Sequence, residues 1–262
     1  MPPDDPPEPK TASPDASDRL KARVLAAGED ELLALLESGS LDESHLVLLL
    51  DRLDISAKVL SAVAALRGSA AAEAIRFRLA RHPHTPRRIA LSLLRQLFLF
   101  DLVNVSLIPS VPAEIRRVAE EILITRVPSL PVGQKLTLAR RGPSRVAGAV
   151  LAEGHPQAIK LALDNSFLSE SQVLKALASH AVPPRVVTAI AQHPRWAVQY
   201  NVRAALVRNP HTPAPCILAI LPQITLRDLK DFAALETLSP HAKKYIRKEL
   251  DRRAEQSSGH GA

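Results

Sequence analysis

A chain of 262 residues with 9 glycines and a single cysteine leaves little material for glycine-rich phosphate loops. It also excludes an intramolecular disulfide and any multi-cysteine zinc or iron–sulfur site. Aromatics are 3% of the residues and charge totals +7, but residues 1–60 carry 6 Lys+Arg against 13 Asp+Glu while the remainder carries 28 against 14, so an acidic front precedes a basic body able to attract an anionic partner or its own tail.

Residues 1–17 are rich in Pro and acids with almost nothing apolar to bury, and are expected to form a disordered acidic tail. They lack the basic start and apolar core of a signal peptide, and no apolar run reaches about 18 residues, so a cytoplasmic chain without membrane contact is expected. An N-terminal helical block is expected over 18–82: Arg19–Ala27 capped by Asp18, then 29–38, 42–53 opened by acidic residues that the helix dipole favours, 56–66 and 70–81. From Pro83 to residue 254 the prolines become regular. Helices are expected over 85–97, 98–107, 112–126, 131–141, 144–153, 156–164, 169–179, 183–192, 195–208, 212–221, 226–235 and 240–253, with 255–262 frayed. No apolar run supports a strand.

The corner Asn209-Pro210-His211-Thr212-Pro213 recurs as His82-Pro83-His84-Thr85-Pro86. With an offset of 127, Leu91 and Leu94 fall on Leu218 and Leu221, and Asp101-Leu102 on Asp228-Leu229. One inserted residue later, Pro112 meets Pro240 and Val118 meets Ile246. Matching corners, core positions and acids indicate a repeated three-helix unit. Asn209 before Pro210 is pushed out of the helical region and stops its helix. Thr85 and Thr212 stand where an N-cap is needed, each with a proline next. Val198, Val202, Ala205 and Leu206 fall on one inward face, and Trp196 is expected between repeats. Cys216, in an apolar run, is expected as a buried inert thiol.

The run His193-Pro194-Arg195-Trp196-Ala197-Val198, then Val202-Arg203, then Arg208-Asn209-Pro210-His211-Thr212-Pro213 resembles the leucine-rich-repeat-variant group of HEAT-like α-solenoids, closely over some thirty residues and in part over 70–253. The resemblance implies an all-α, right-handed helical-repeat solenoid. Its motif encodes capping and packing and carries no catalytic residue. The family prototype holds a cysteine-ligated iron–sulfur cluster, which this chain lacks the cysteines to hold.

His82, His84, His155, His193 and His211 all sit at corners. A metal reading needs three or four ligands in fixed geometry, and the simpler reading is a turn residue that hydrogen-bonds locally. No Ser-His-Asp, GxSxG, HExxH, CxxC or Walker pattern is present, and no catalytic residue, cofactor or metal is expected. The basic clusters are the functional lead. Arg76, Arg78, Arg81, Arg87 and Arg88 surround the first corner, Arg140, Arg141 and Arg145 another, and Arg195, Arg203 and Arg208 a third. Lys243, Lys244, Arg247, Lys248, Arg252 and Arg253 crowd the last helix. If corners align, the arginines form a stripe suited to bidentate contacts with carboxylate or phosphate, against the alternative of an ordinary solvated face. Arg116-Arg117 with Glu120-Glu121 reads as an i,i+4 ladder. The sequence thus points to a non-catalytic scaffold that binds another macromolecule, foremost a protein and one that is acidic. Sequence-independent DNA or RNA binding through the basic face is the second reading, and a HEAT-like DNA glycosylase the third.

Overall fold

The computed structural model describes residues 14–66, 73–179, 181–236 and 238–259. Among the described residues there are seventeen α-helices and no strand. The chain divides into two compact units, residues 1–119 and 120–262. The first holds α1 (Pro14–Ala26), α2 (Glu29–Glu37), α3 (Glu43–Asp51), α4 (Ala57–Ala65), α5 (Glu73–Arg81), α6 (Arg87–Leu94), α7 (Leu99–Leu107) and the start of α8 (Ala113–Arg126). The second takes the end of α8 and continues with α9 (Val132–Arg141), α10 (Ser144–Glu153), α11 (Pro156–Leu163), α12 (Glu170–Ala178) and α13 (Pro184–Gln192). It closes with α14 (Tyr200–Arg208), α15 (Ala214–Ile220), α16 (Leu226–Ala234) and α17 (Pro240–Gly259).

Proline sets most of the starts. Pro86, Pro131, Pro143, Pro183 and Pro213 are the residues immediately before α6, α9, α10, α13 and α15, extended and without a side-chain cap. Elsewhere a polar side chain caps: Asp42 accepts from His45 N and the His45 ring accepts from Asp42 N, a reciprocal box at α3. Ser56, Thr225 and Ser239 accept from the third amide of α4, α16 and α17. Gly154 ends α10 at φ +77, where a Cβ would stand 2.8 Å from Pro183, so both backbone conformation and space require glycine.

Within each unit a helix packs on its next-but-one neighbour. In the first, α1 meets α3, α3 meets α5, α5 meets α7, and α2 meets α4. In the second, α9 meets α11, α11 meets α13, α10 meets α12, and α12 meets α14. Leu32, Leu49, Leu60, Ile75 and Leu79 fill the first core, and Leu138, Leu151, Val173, Ile190 and Leu206 the second, each at most 2% exposed. Burying a side chain of this size contributes about 1.5–3 kcal/mol.

The expected boundaries hold to within a few residues, with four corrections. Helix α1 starts at Pro14, inside the stretch expected to be disordered; residues 1–13 lie outside the described residues, as do 70–72, the expected start of α5. The expected helix 195–208 begins only at Tyr200, because His193–Gln199 forms a tight turn in which Trp196 N and Ala197 N both donate to His193 O. Val198 therefore leaves the inward face and is 61% exposed, whereas Val202 and Leu206 are buried. The last helix runs on to Gly259 through residues expected to fray, with 260–262 outside the described residues. Cys216 is half-buried.

The threonines behave differently from expectation. Thr85 Oγ1 donates to Leu79 O at 2.7 Å and Thr212 Oγ1 to Leu206 O at 2.6 Å, both buried. Neither caps the helix that follows, because Pro86 and Pro213 occupy the capping positions. Each hydroxyl instead adds a second donor to a carbonyl near the end of the helix before it, which also accepts from the backbone N–H of His82 or Asn209. Thr212→Val, which keeps the shape and removes the donor, is expected to lower stability by about 1–2 kcal/mol in urea unfolding, while Thr212→Ser retains most of it.

Trp196 is 1% exposed, and its indole N–H donates to Leu163 O at 2.9 Å. Its emission is expected to be blue-shifted and protected from iodide in the native chain. A solvent-like spectrum would contradict this seat.

Candidate binding surface

Corners within a unit are tied in series by side chains that reach back to earlier carbonyls. His82 Nε2 donates to Arg52 O at 2.8 Å while Nδ1 accepts from His84 N at 3.2 Å. Asn209 makes the same pair of contacts: Nδ2 donates to Leu177 O at 2.8 Å and Oδ1 accepts from His211 N at 2.9 Å. Asn165 repeats the pattern with Ala139 O, Gly142 O and Phe167 N. His193 accepts from Arg195 N and donates to the Asp164 carboxylate. A residue that both donates and accepts is needed, and neutral His and Asn meet that need alike. Among the described residues no three His, Cys, Asp or Glu come together as a metal site.

Arginine extends the series. Arg52 donates to Val24 O and Ala27 O, and Arg195 to Asn165 O and Leu168 O while its guanidinium lies 4.3 Å from the Trp196 ring. Arg253 donates to Leu221, Pro222 and Ile224 carbonyls, and Arg185 to Gly154 O.

This use of arginine bears directly on the basic clusters. In the first unit Arg78 and Arg81 share Asp51, and Arg87 forms a forked pair with Glu114. The Nε of Arg76 is buried without a hydrogen-bond partner. Arg88 is exposed. In the second unit Arg145 reaches Glu120 at 3.1 Å and Glu121 at 3.6 Å, so these two acids of α8 also serve α10. Arg203 donates to Ala197 O. Arg140 and Arg141 are exposed at the end of α9.

Arg208 differs. Its Nε donates to Ala204 O at 3.1 Å, its guanidinium lies 5.4 Å from the Phe232 ring, and its terminal nitrogens carry no hydrogen bond to another described residue. They stand at the edge of a groove of about 380 Å³ between α12 and α14. Leu174, Leu177, Ala178 and Ala205 supply its apolar lining, His211 stands with Arg208, and among the described residues no carboxylate lines it. A smaller groove of about 180 Å³ separates α10 from α12, lined by Gly148, Ala149, Ala152, Arg145 and Lys175, again without a carboxylate. A Cβ on Gly148 would stand 2.9 Å from Gln172, so these two helices approach closely. Sequence reading picked out Arg208 and Arg145 but missed Lys175 and the leucines of α12. The available signal was a second apolar stripe, Leu174 and Ala178, flanking the core stripe Val173 and Leu177.

The two stretches whose sequences match also differ at one contact. Glu73 and Tyr200 are the first residues of α5 and α14, and each neighbours the aspartate two helices on. Asp228 accepts from the Tyr200 and Thr225 hydroxyl and capping network, which holds its carboxyl below the usual range. Asp101, half-buried and beside Glu73, is pushed up by burial and by that second carboxylate.

His82 is 3% exposed and its pKa is lowered, first by burial and then by the nearby charges of His84 and Arg81, against the upward pull of Arg52 O and Asp54. The folded chain therefore binds a proton on His82 less readily than the unfolded chain, and stability present above about pH 6.5 falls as pH drops below that value. His82→Asn, which installs the side chain found at the equivalent corner, is expected to reduce the stability difference between about pH 7.5 and about pH 5 in urea unfolding.

The comparisons with known proteins return nothing: no family model, no curated protein and no solved structure matches this chain.

Proposed function

We propose that the chain is a non-catalytic scaffold, a right-handed HEAT-like solenoid of the leucine-rich-repeat-variant type, that binds an acidic segment of another protein in the groove between α12 and α14. The observation that carries this reading is the composition of that groove: an apolar lining, Arg208 and His211 beside it, and no carboxylate among the described residues that line it. Apolar side chains of a partner gain burial in such a recess, and a neighbouring Asp or Glu gains a charge-assisted hydrogen bond from guanidinium nitrogens that no described residue already holds. Next-but-one helix packing within each unit supports the repeat architecture. The corner arginines support nucleic-acid binding less well, since Arg78, Arg81, Arg87, Arg145, Arg195 and Arg203 are all engaged within the protein.

A selection from a random peptide library with the full chain is expected to enrich segments in which Leu, Ile or Val stands next to Asp or Glu. Arg208→Glu is expected to weaken a selected peptide by about tenfold or more, the equivalent of about 1.4 kcal/mol. Enrichment without acidic bias, or binding indifferent to Arg208→Glu, would overturn the reading.

A further inference from the structure

Four neighbouring cations of the second unit crowd the start of its last helix. Helix α17 turns Ala242, Ile246 and Glu249 inward and packs on α15 and α16. Its outward positions include His241, Lys244, Arg247, Lys248, Asp251 and Arg252. Arg252 is taken by Glu249, whose carboxyl is held low by Arg252 and then Arg253. Lys244, Arg247 and Lys248 have no partner among the described residues. With Lys243, whose ammonium only approaches Glu236 O at 3.5 Å, they line one recess in which Asp251 is the sole acid.

Helix stability does not explain this placement. The macrodipole favours acids near a helix start and cations near its end. Helices α2, α3, α8, α12 and α16 follow that rule with acids in the first turn, whereas α17 has none there and carries Lys243 and Lys244 close behind. Four cations within about one and a half turns of one another, with no acid on the helix before Glu249 and Asp251, repel each other in the free protein.

We infer that this face of α17 is a docking patch for the phosphate backbone of nucleic acid, bound without regard to sequence. The exposed stripe carries no large apolar side chain, since Ile246 is buried and Tyr245 and Leu250 are half-buried. A protein interface needs an apolar core, and an interfacial membrane helix needs apolar residues to insert, so neither fits. Phosphate neutralisation needs only clustered cations. No Phe, Tyr or Trp stands exposed on the stripe to stack on bases. The patch is separate from the groove between α12 and α14 and stands or falls on its own.

The test is titration of a fluorescent DNA duplex with the full-length protein. At about 50 mM salt the wild type is expected to bind at micromolar concentration, and neutralisation of three to four phosphates predicts a loss of roughly 40–150-fold in affinity at about 200 mM. The triple variant Lys244→Glu, Arg247→Glu, Lys248→Glu is expected to abolish binding with an unfolding midpoint that does not fall, whereas Arg140→Glu with Arg141→Glu changes affinity by about twofold or less. Lys244→Gln alone is expected to lower the salt slope by about one, a readout that does not depend on the triple variant folding. No duplex binding by the wild type, or binding that survives the triple variant, overturns the inference. So does equal or tighter binding, through these same lysines, to polyglutamate or to phosphatidylserine vesicles.

Discussion

A helix end leaves carbonyls without partners, and a chain of short helices makes many such ends. This protein satisfies them from outside the helix. Asn or neutral His at a corner, helped by arginine and one indole, donates to carbonyls at the end of an earlier helix. Leaving such a carbonyl buried and unpaired costs about 1–3 kcal/mol, comparable to a well-buried leucine. The corners therefore do more than turn the chain: they fix where each helix sits on its next-but-one neighbour. The grooves between α10, α12 and α14 exist because that spacing is held.

The same constraint reassigns the charge. A net charge of +7 suggests a surface open to anions, yet much of the arginine is structural. A planar guanidinium with five donors suits clusters of backbone carbonyls, as Arg195 and Arg253 show. Lysine cannot fork in this way, and several of the lysines remain at the surface. The distinction between the two residue types separates cations that hold the fold from cations available to a partner.

What the sequence revealed was whatever acts locally. Proline positions set helix starts, and Asn209 before Pro210 ended its helix where expected. The inward stripe of α14 was legible at Val202 and Leu206 but not at Val198, because the turn at His193–Gln199 is held by tertiary contacts of Arg195 and Trp196. The threonine hydroxyls were visible as polar groups at corners, but their direction depends on whether an amide or a carbonyl lies within reach, and with proline at the capping position they turn back to Leu79 O and Leu206 O. The groove at Arg208 needs two helices distant in sequence and could not be read from either alone. The equivalence of His82 with Asn209 was hidden because the shared property is a pair of hydrogen-bonding roles, not a residue type.

One property of the corner contacts bears on how the chain is made. His82, His84, Arg52, Asn165, Arg185, Arg195, Trp196, Asn209 and Arg253 each donate to carbonyls that precede them, by 23 to 33 residues. During synthesis the acceptor therefore emerges from the ribosome before its donor. Each helix end waits, solvated, for about one further helix pair, and is then closed by residues that have only just appeared. At about 5–20 residues per second that delay lasts seconds, far longer than a helix takes to form. Assembly within each unit is thereby given a direction, from the amino end onward, by hydrogen bonds that all point back along the chain.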